Sequence, residues 1–274
     1  MKHFFLYLTV LVMAVGCTPQ DHLTILHTND THSQIEPKGN GQCGYARRMG
    51  LIRKERKADK FLLLADAGDF CQGTPYFNFY HGRIEIDAMN RMGYDVATLG
   101  NHEFDNGLDT LAEVLKIADF PFVCANYDFS GTALEGIVKP YTILRKGALK
   151  IGVFGLGCDP KGVSAEKNFL PAKFLDPYPV AQAMADTLRA KECDIVICLS
   201  HMGTYGKAPE DICDTAMVRH TRGIDAVIGG HTHQLYDHLR VVNLDGDTVP
   251  VCQMAKSGAY LGKIVLHLGD KNEK

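Results

Sequence analysis

The feature that most constrains the fold of this chain is a junction that recurs along it, where a short apolar run ends in polar residues. Runs such as Leu23 to Thr28 and Ile195 to Ser200 are mostly β-branched or aliphatic, and Asp, His or Asn follows them. Amphipathic stretches with apolar residues three and four apart separate the runs, as in helices. The alternation predicts an α/β fold in which helices connect short buried strands.

The predicted elements run through most of the chain. The predicted strands are Leu23 to Thr28, Phe61 to Ala65, Val96 to Leu99, Pro121 to Ala125, Ile151 to Leu156, Ile195 to Ser200 and Ala226 to Gly229, with two more between Val249 and Leu268. The predicted helices are Tyr45 to Ala58, Ile84 to Met92, Leu108 to Ala118, Pro179 to Lys191 and Pro209 to Arg219. Repeats and Pro/Gly-rich linkers are absent, so we expect a single domain over residues 22–270.

Five of the predicted strands end in loops that carry metal-binding residue types. The loop residues are Asp30 and His32, Asp69, Asn101 and His102, His201, and His231 and His233. In open α/β sheets the carboxyl ends of the strands border the ligand crevice, so residues far apart in sequence can converge there. One Asp-x-His pair after a strand is usually an ordinary turn, but five such loops in order favour a metal site.

The donor types in these loops indicate the class of metal. Carboxylate oxygens and neutral imidazole nitrogens suit Mn, Zn, Fe, Mg or Ca, and the absence of Cys from the proposed donors argues against a soft ion. Asp69 is the candidate to bridge two divalent ions. Paired ions in one site can activate water for attack on a phosphoester.

Taken together, these loops resemble the motifs of the calcineurin-like metallophosphoesterase superfamily. The matching motifs are Asp30-x-His32, Gly68-Asp69, Gly100-Asn-His-Glu103, His201 and Gly230-His-Thr-His233. More narrowly, the segments Leu26 to Asp30 and Gly100 to Asp105 resemble the bacterial 5'-nucleotidase and 2',3'-cyclic phosphodiesterase family, and the likeness runs from about Leu23 to Leu268.

The resemblance implies a fold, two metal sites and a catalytic pair. The implied fold is a four-layer sandwich of two mixed β-sheets flanked by helices. One ion would be bound by Asp30, His32, Asp69 and His233, and the other by Asp69, Asn101, His201 and His231. His102 would face the substrate phosphate while Asp105 orients its ring. The implied function is phosphoester hydrolysis by activated water, without a covalent phosphoenzyme.

Composition limits the partners of the chain. Its formal net charge is -3, and acidic and basic residues are interspersed without a basic stripe. Such a chain is not expected to bind polymeric nucleic acid. A small phosphoester or a nucleotide is the substrate expected from the resemblance.

The N-terminus has the pattern of an export signal. Lys2 precedes an apolar run from Phe4 to Val15, which is too short to span a bilayer as a stable helix. The segment Ala14-Val15-Gly16-Cys17 resembles a bacterial lipoprotein processing box, in which Cys17 becomes the lipidated first residue. We therefore expect an exported periplasmic or outer-membrane lipoprotein, held at a membrane only by that anchor. Plain secretion after cleavage at a small residue is the alternative.

The sequence leaves the substrate open. Two-domain 5'-nucleotidases carry a C-terminal domain that supplies the residues clamping the nucleoside, and this sequence ends soon after its metal-binding loops. Three alternatives follow. The chain is a nucleotidase core completed by a separate C-terminal-domain polypeptide, a stand-alone phosphatase or phosphodiesterase of broad preference, or a metal-binding scaffold subunit without turnover.

Overall fold

A computed structural model describes residues 20–206 and 211–268 of the chain. The predicted signal segment and Cys17 lie outside the described residues. Within them, no helix is both long enough and apolar enough to cross a membrane.

The described chain alternates strands and helices as the sequence pattern predicts. The strands in chain order are β1 (His22–Thr28), β2 (Leu63–Asp66), β3 (Val96–Ala97), β4 (Phe122–Val123), β5 (Tyr127–Asp128), β6 (Val138–Lys139), β7 (Tyr141–Lys146), β8 (Leu149–Gly157), β9 (Lys173–Phe174), β10 (Ile195–His201), β11 (Ala226–Ile228), β12 (Leu235–Val242), β13 (Thr248–Met254) and β14 (Gly262–His267). The helices are α1 (Tyr45–Ala58), α2 (Pro75–Tyr80), α3 (Arg83–Met92), α4 (Gly107–Leu115), α5 (Glu166–Phe169), α6 (Pro177–Ala190) and α7 (Asp214–Arg219), with a 3₁₀ helix at His102–Asn106.

Two six-stranded mixed sheets form the centre of the fold. The first has the order β14-β1-β2-β3-β4-β6, in which only β14 is antiparallel to its neighbour. The second has the order β12-β13-β11-β10-β8-β7, with antiparallel pairs at its two edges. The remaining strands, β5 and β9, pair with each other in a small antiparallel sheet.

Three layers of apolar side chains hold the sheets and helices together. Alternate residues of a strand face opposite sides of its sheet, so Ile25 of β1 packs between the two sheets while Leu26 packs beneath the outer helices. Ile52 of α1 and Met89 of α3 lie in that outer layer. Leu188 of α6 packs on the far side of the second sheet. This arrangement confirms the expected sandwich of two mixed sheets flanked by helices.

Most predicted elements are present, and the differences lie at their ends. The start of the helix predicted from Pro209 to Arg219 lies outside the described residues, and its described part is helical over Asp214–Arg219. The strand predicted from Val96 to Leu99 ends at Ala97. Strand β12 was not predicted because most of its residues are partly or fully exposed, which removes the apolar signal of a buried strand.

Candidate functional site

Loops from both sheets meet at the carboxyl ends of β1, β2, β3, β10 and β11. Asp30, His32, Asp69 and His233 form one group in which the potential ligand atoms all lie within 4.8 Å of one another. His32 Nε2 lies 2.9 Å from His233 Nε2, and His233 Nε2 lies 3.3 Å from Asp30 Oδ1. Residues separated by two hundred positions in the sequence therefore present nitrogen and oxygen atoms to one small volume.

The other predicted residues adjoin this group on the side of Asp69. His201 Nε2 lies 3.1 Å from Asp69 Oδ2, and His231 Nδ1 lies 2.9 Å from Asn101 Oδ1. The rings of His201 and His231 meet edge to face, with their centroids 5.4 Å apart. Asp69 lies between the two groups, where a carboxylate could be shared.

The donors have the properties that a bound cation requires. His201 is fully buried, and among the described residues its Nε2 has no partner in hydrogen-bonding alignment. The other ring nitrogen, Nδ1, lies 2.6 Å from the carbonyl oxygen of Ala67, which orients the ring and leaves Nε2 facing Asp69. A metal would satisfy this buried nitrogen, so the residues present fit a divalent cation.

The electrostatics of the site also favour positive charge. Burial opposes charging of His201, but the negative charges of Asp69 and Asp30 outweigh it and raise the pKa of His201 to about 10. By contrast, burial and the neighbouring His201 lower the pKa of His231 to about 4. The two carboxylates that raise the pKa of His201 would equally attract a cation.

Several residues of the site have strained backbone angles, which the sequence pattern did not predict. Asp30, His32, Asp69, His231 and His233 all have positive φ, between 47° and 74°. This region is uncommon for residues other than Gly and costs free energy. Such strain persists only where the surrounding structure holds it, and it collects at functional sites.

Glu103 ties two of the loops together. Its buried carboxylate accepts hydrogen bonds from the backbone N–H groups of Asp69 at 2.9 Å, Cys71 at 3.0 Å and Gly100 at 2.6 Å. The side chain therefore supports the loops and does not point to the cluster of donors. Burial and the charge of Asp69 raise the pKa of Glu103 to about 8.

His102 and Asp105 form the predicted pair beside the cluster. Asp105 Oδ2 lies 2.8 Å from His102 Nδ1, and this hydrogen bond raises the pKa of His102 above its ordinary value. The ring of His102 is 5.4 Å from that of His32 between centroids, and its side chain is 29 % exposed. The pair thus lies at the open side of the site, where a substrate can reach it.

Sequence reasoning missed two side chains that position the site. The amide of Asn29 donates to Asp30 Oδ2 at 2.5 Å, and its oxygen accepts from the Met254 N–H at 2.8 Å. Gln253 is fully buried and binds the loop after β11 through the Gly230 carbonyl at 2.9 Å and the Gln234 N–H at 2.7 Å. A polar residue inside the apolar run of β13 was the available signal for Gln253.

Comparison with known proteins places the chain in a family. The model of the calcineurin-like phosphoesterase family matches residues 23–235. This chain belongs to the calcineurin-like phosphoesterase family. The snake venom 5'-nucleotidase of Gloydius brevicauda is 36 % identical over 277 residues, which cover 91 % of this chain and 46 % of that protein. The human 5'-nucleotidase is 32 % identical over 283 residues, covering 91 % of this chain and 47 % of that protein.

Solved structures agree with the assignment to this family. The 5'-nucleotidase precursor from Thermus thermophilus superposes with a TM-score of 0.78 at 32 % identity, over 90 % of this chain and 54 % of that one. The calcineurin-like phosphoesterase YfkN from Bacillus subtilis gives 0.79 at 31 % identity, over 93 % of this chain and 87 % of that one. The chain spans about half the length of the curated 5'-nucleotidases that it matches.

Proposed function

We propose that the chain is a metal-dependent phosphoester hydrolase that acts on nucleotides or related small phosphoesters. The observation that carries the proposal is the convergence of carboxylate, carboxamide and imidazole donors from five loops around Asp69. The family match and the nucleotidase relatives support the same reaction class.

Two divalent ions would be held by these residues. Asp30, His32, Asp69 and His233 would bind one, and Asp69, Asn101, His201 and His231 the other. Bound there, the ions would supply an activated water nucleophile and would neutralise charge on the phosphoryl oxygens. Ala67, Glu103 and Asn29 would hold the ligands in place through the hydrogen bonds described above.

His102 is the side chain that we assign to contact the substrate phosphate. With Asp105 on Nδ1, its Nε2 is the nitrogen left to meet a phosphoryl or leaving-group oxygen. The hydrogen bond fixes the ring and favours its protonated form, so that His102 can donate as negative charge develops on oxygen. Because the side chain is partly exposed, a substrate can approach it without displacing the buried ligands.

The first test separates catalysis from metal binding. We expect His102→Ala to lose most turnover of a chromogenic phosphomonoester with Mn²⁺ while retaining its metal, because its ring is not among the ligands. Asp69→Ala is expected to lose both. His220→Ala, whose ring stacks on Tyr178 away from the cluster, is the matched control. Full turnover by Asp69→Ala, or wild-type metal content in it, would contradict the assignment.

A second candidate function is broad phosphodiester and phosphomonoester hydrolysis by this unit alone. It is favoured because the solved YfkN chain is 87 % covered by this one and a curated Bacillus subtilis relative is named a trifunctional nucleotide phosphoesterase. Rates on AMP, UMP and a 2',3'-cyclic nucleotide, with and without a co-expressed C-terminal-domain polypeptide, distinguish the two. Stimulation by that polypeptide favours a nucleotidase core, and equal rates favour the independent enzyme.

We also propose that residues 22–270 form one catalytic domain and that the chain is exported and lipidated at Cys17. The apolar run before Gly16-Cys17 supports this, and the venom nucleotidases among the relatives agree with export. Expression in a Gram-negative host with a radiolabelled fatty acid tests it. Label in the parent and none in Cys17→Ser is the expected result, and no label in either would disprove lipidation.

A further inference from the structure

Two buried carboxylates outside the proposed set of ligands lie next to the loops of the candidate metal site. Glu85 of α3 and Asp214 of α7 are each fully buried. In each, one oxygen accepts a hydrogen bond from a side chain, and the other, Glu85 Oε2 or Asp214 Oδ2, has no partner within the described residues. Burying a carboxylate with an unpartnered oxygen costs free energy, so these two groups call for an explanation.

Both carboxylates accept their hydrogen bond from a serine. The hydroxyl of Ser33 donates to the carboxylate of α3, and the hydroxyl of Ser200 donates to that of α7 at 2.5 Å. Ser33 directly follows His32, and Ser200 directly precedes His201. These histidines are the ones assigned to different ions, so each serine–carboxylate pair adjoins a ligand of only one of them.

The pair that contains Ser33 holds a strained stretch of backbone. His32 and Ser33 have φ of 47° and 52°, in the left-handed region that residues other than Gly rarely occupy. The Ser33 N–H donates to the Phe70 carbonyl at 2.9 Å, and the Ser33 carbonyl accepts from Thr74 Oγ1 at 2.9 Å. Because Glu85 takes the hydroxyl, every polar group of Ser33 is engaged. The backbone that aims the His32 ring is thereby kept in this conformation.

The pair that contains Ser200 fixes the backbone on both sides of the other histidine. Ser200 Oγ also accepts from the Met202 N–H at 3.3 Å, so one hydroxyl links the residues before and after His201. The free oxygen of Asp214 lies against Gly229, where an added Cβ would overlap it. The carboxylate therefore packs between the ends of β10 and β11, the two strands that lead into the histidine loops of the second ion.

We propose that Glu85 and Asp214 are positioning residues, each serving a different ion of the proposed dinuclear site. Glu85 acts on His32, and Asp214 acts on His201, in both cases through the serine that links them. Groups that hydrogen-bond behind the ligands of a metal usually change its affinity by about 10- to 100-fold. The inference rests on the proposed function, which assigns the two histidines to different ions.

Deletion of one hydroxyl tests each half of the inference. The whole chain, freed of metal by a chelator, is titrated with Mn²⁺ by isothermal calorimetry. We expect the parent to bind two ions, and Ser33→Ala and Ser200→Ala each to bind one of them about 10- to 100-fold more weakly and the other as the parent does. His32→Ala and His201→Ala serve as references, because the binding step that remains in each identifies the ion that was lost.

Further variants separate positioning from a general loss of stability. Glu85→Gln keeps an oxygen for the Ser33 hydroxyl, so it should bind both ions nearly as tightly as the parent, whereas Glu85→Ala should resemble Ser33→Ala. Thr221→Val is the matched control, because it removes another buried hydroxyl, which donates to the Met217 carbonyl at 2.9 Å. It should leave both affinities unchanged even if it lowers the melting temperature.

The possible results distinguish this inference from the proposed function. If the parent binds two ions and the affinities of both serine variants equal those of the parent, the inference is wrong and the proposed function stands. Weakening of the same ion by both serine variants, or equal weakening by Thr221→Val, would also overturn it. A parent that binds fewer than two ions would overturn the dinuclear site and this inference together.

Discussion

Adding a single methyl group at Gly100 is a sensitive test of the proposed site. An ideal Cβ built there would lie 2.7 Å from the backbone nitrogen of Asp69 and 2.7 Å from His201 Nε2, and would overlap Asp69 Oδ1. The φ angle of Gly100 is not positive, so the backbone itself would accept alanine. The substitution Gly100→Ala therefore places one methyl group between two proposed ligands, without other strain.

The size of the effect follows from these distances. Optimal contacts between heavy atoms are about 3.5 Å, so each of the two nitrogens is about 0.8 Å too close. The Asp69 N–H is fixed by Glu103, which leaves the side chains of Asp69 and His201 to move by roughly 1 Å. Misplacement by that distance can cost about 100-fold in rate, and overpacking costs about 1–3 kcal/mol of stability.

The assay compares turnover, metal content and thermal unfolding of Gly100→Ala with those of Gly50→Ala. Gly50 lies in α1, where an added Cβ would meet no atom within 4 Å, so alanine there should leave activity unchanged and stabilise the helix by up to about 1 kcal/mol. Gly100→Ala with full activity and full metal content would show that Asp69 and His201 do not hold the reacting centre.

Three further outcomes are expected. Glu103→Gln leaves one buried backbone amide, that of Cys71, without an acceptor, and should lower the free energy of unfolding by about 1–3 kcal/mol in denaturant titrations. An unchanged unfolding midpoint would contradict the support of these loops by Glu103. Gly262→Ala, which crowds the ring of His27, should destabilise the protein by about 1–3 kcal/mol while sparing turnover. Removing metal with a chelator should lower the melting temperature, because an ion that binds only the native state stabilises it; Asp69→Ala should melt at the same temperature with and without chelator.

The fold class could be predicted from the amino-acid sequence and is confirmed, and the sequence motifs also predict the residues of the candidate site. Short apolar runs identified β1 and β10, and helical periodicity gave α1 with its observed limits. These signals are local, because the side chains that a strand or helix buries recur along the chain with a fixed period. The loop motifs around Asp30 and His233 could be recognised in the sequence for the same reason, since each is a short contiguous segment.

The contacts that hold those segments, and the buried groups that lack a hydrogen bond among the described residues, became apparent from the folded structure. The positive φ of Asp69, the support of two loops by Glu103 and the role of Gln253 all depend on contacts between distant strands. The ring of His27 makes no hydrogen bond within the described residues, and this has the same origin, because its surroundings come from β13 and β14. Hydrogen-bond partners and burial are set by packing across the sandwich, and a linear sequence pattern does not encode them locally.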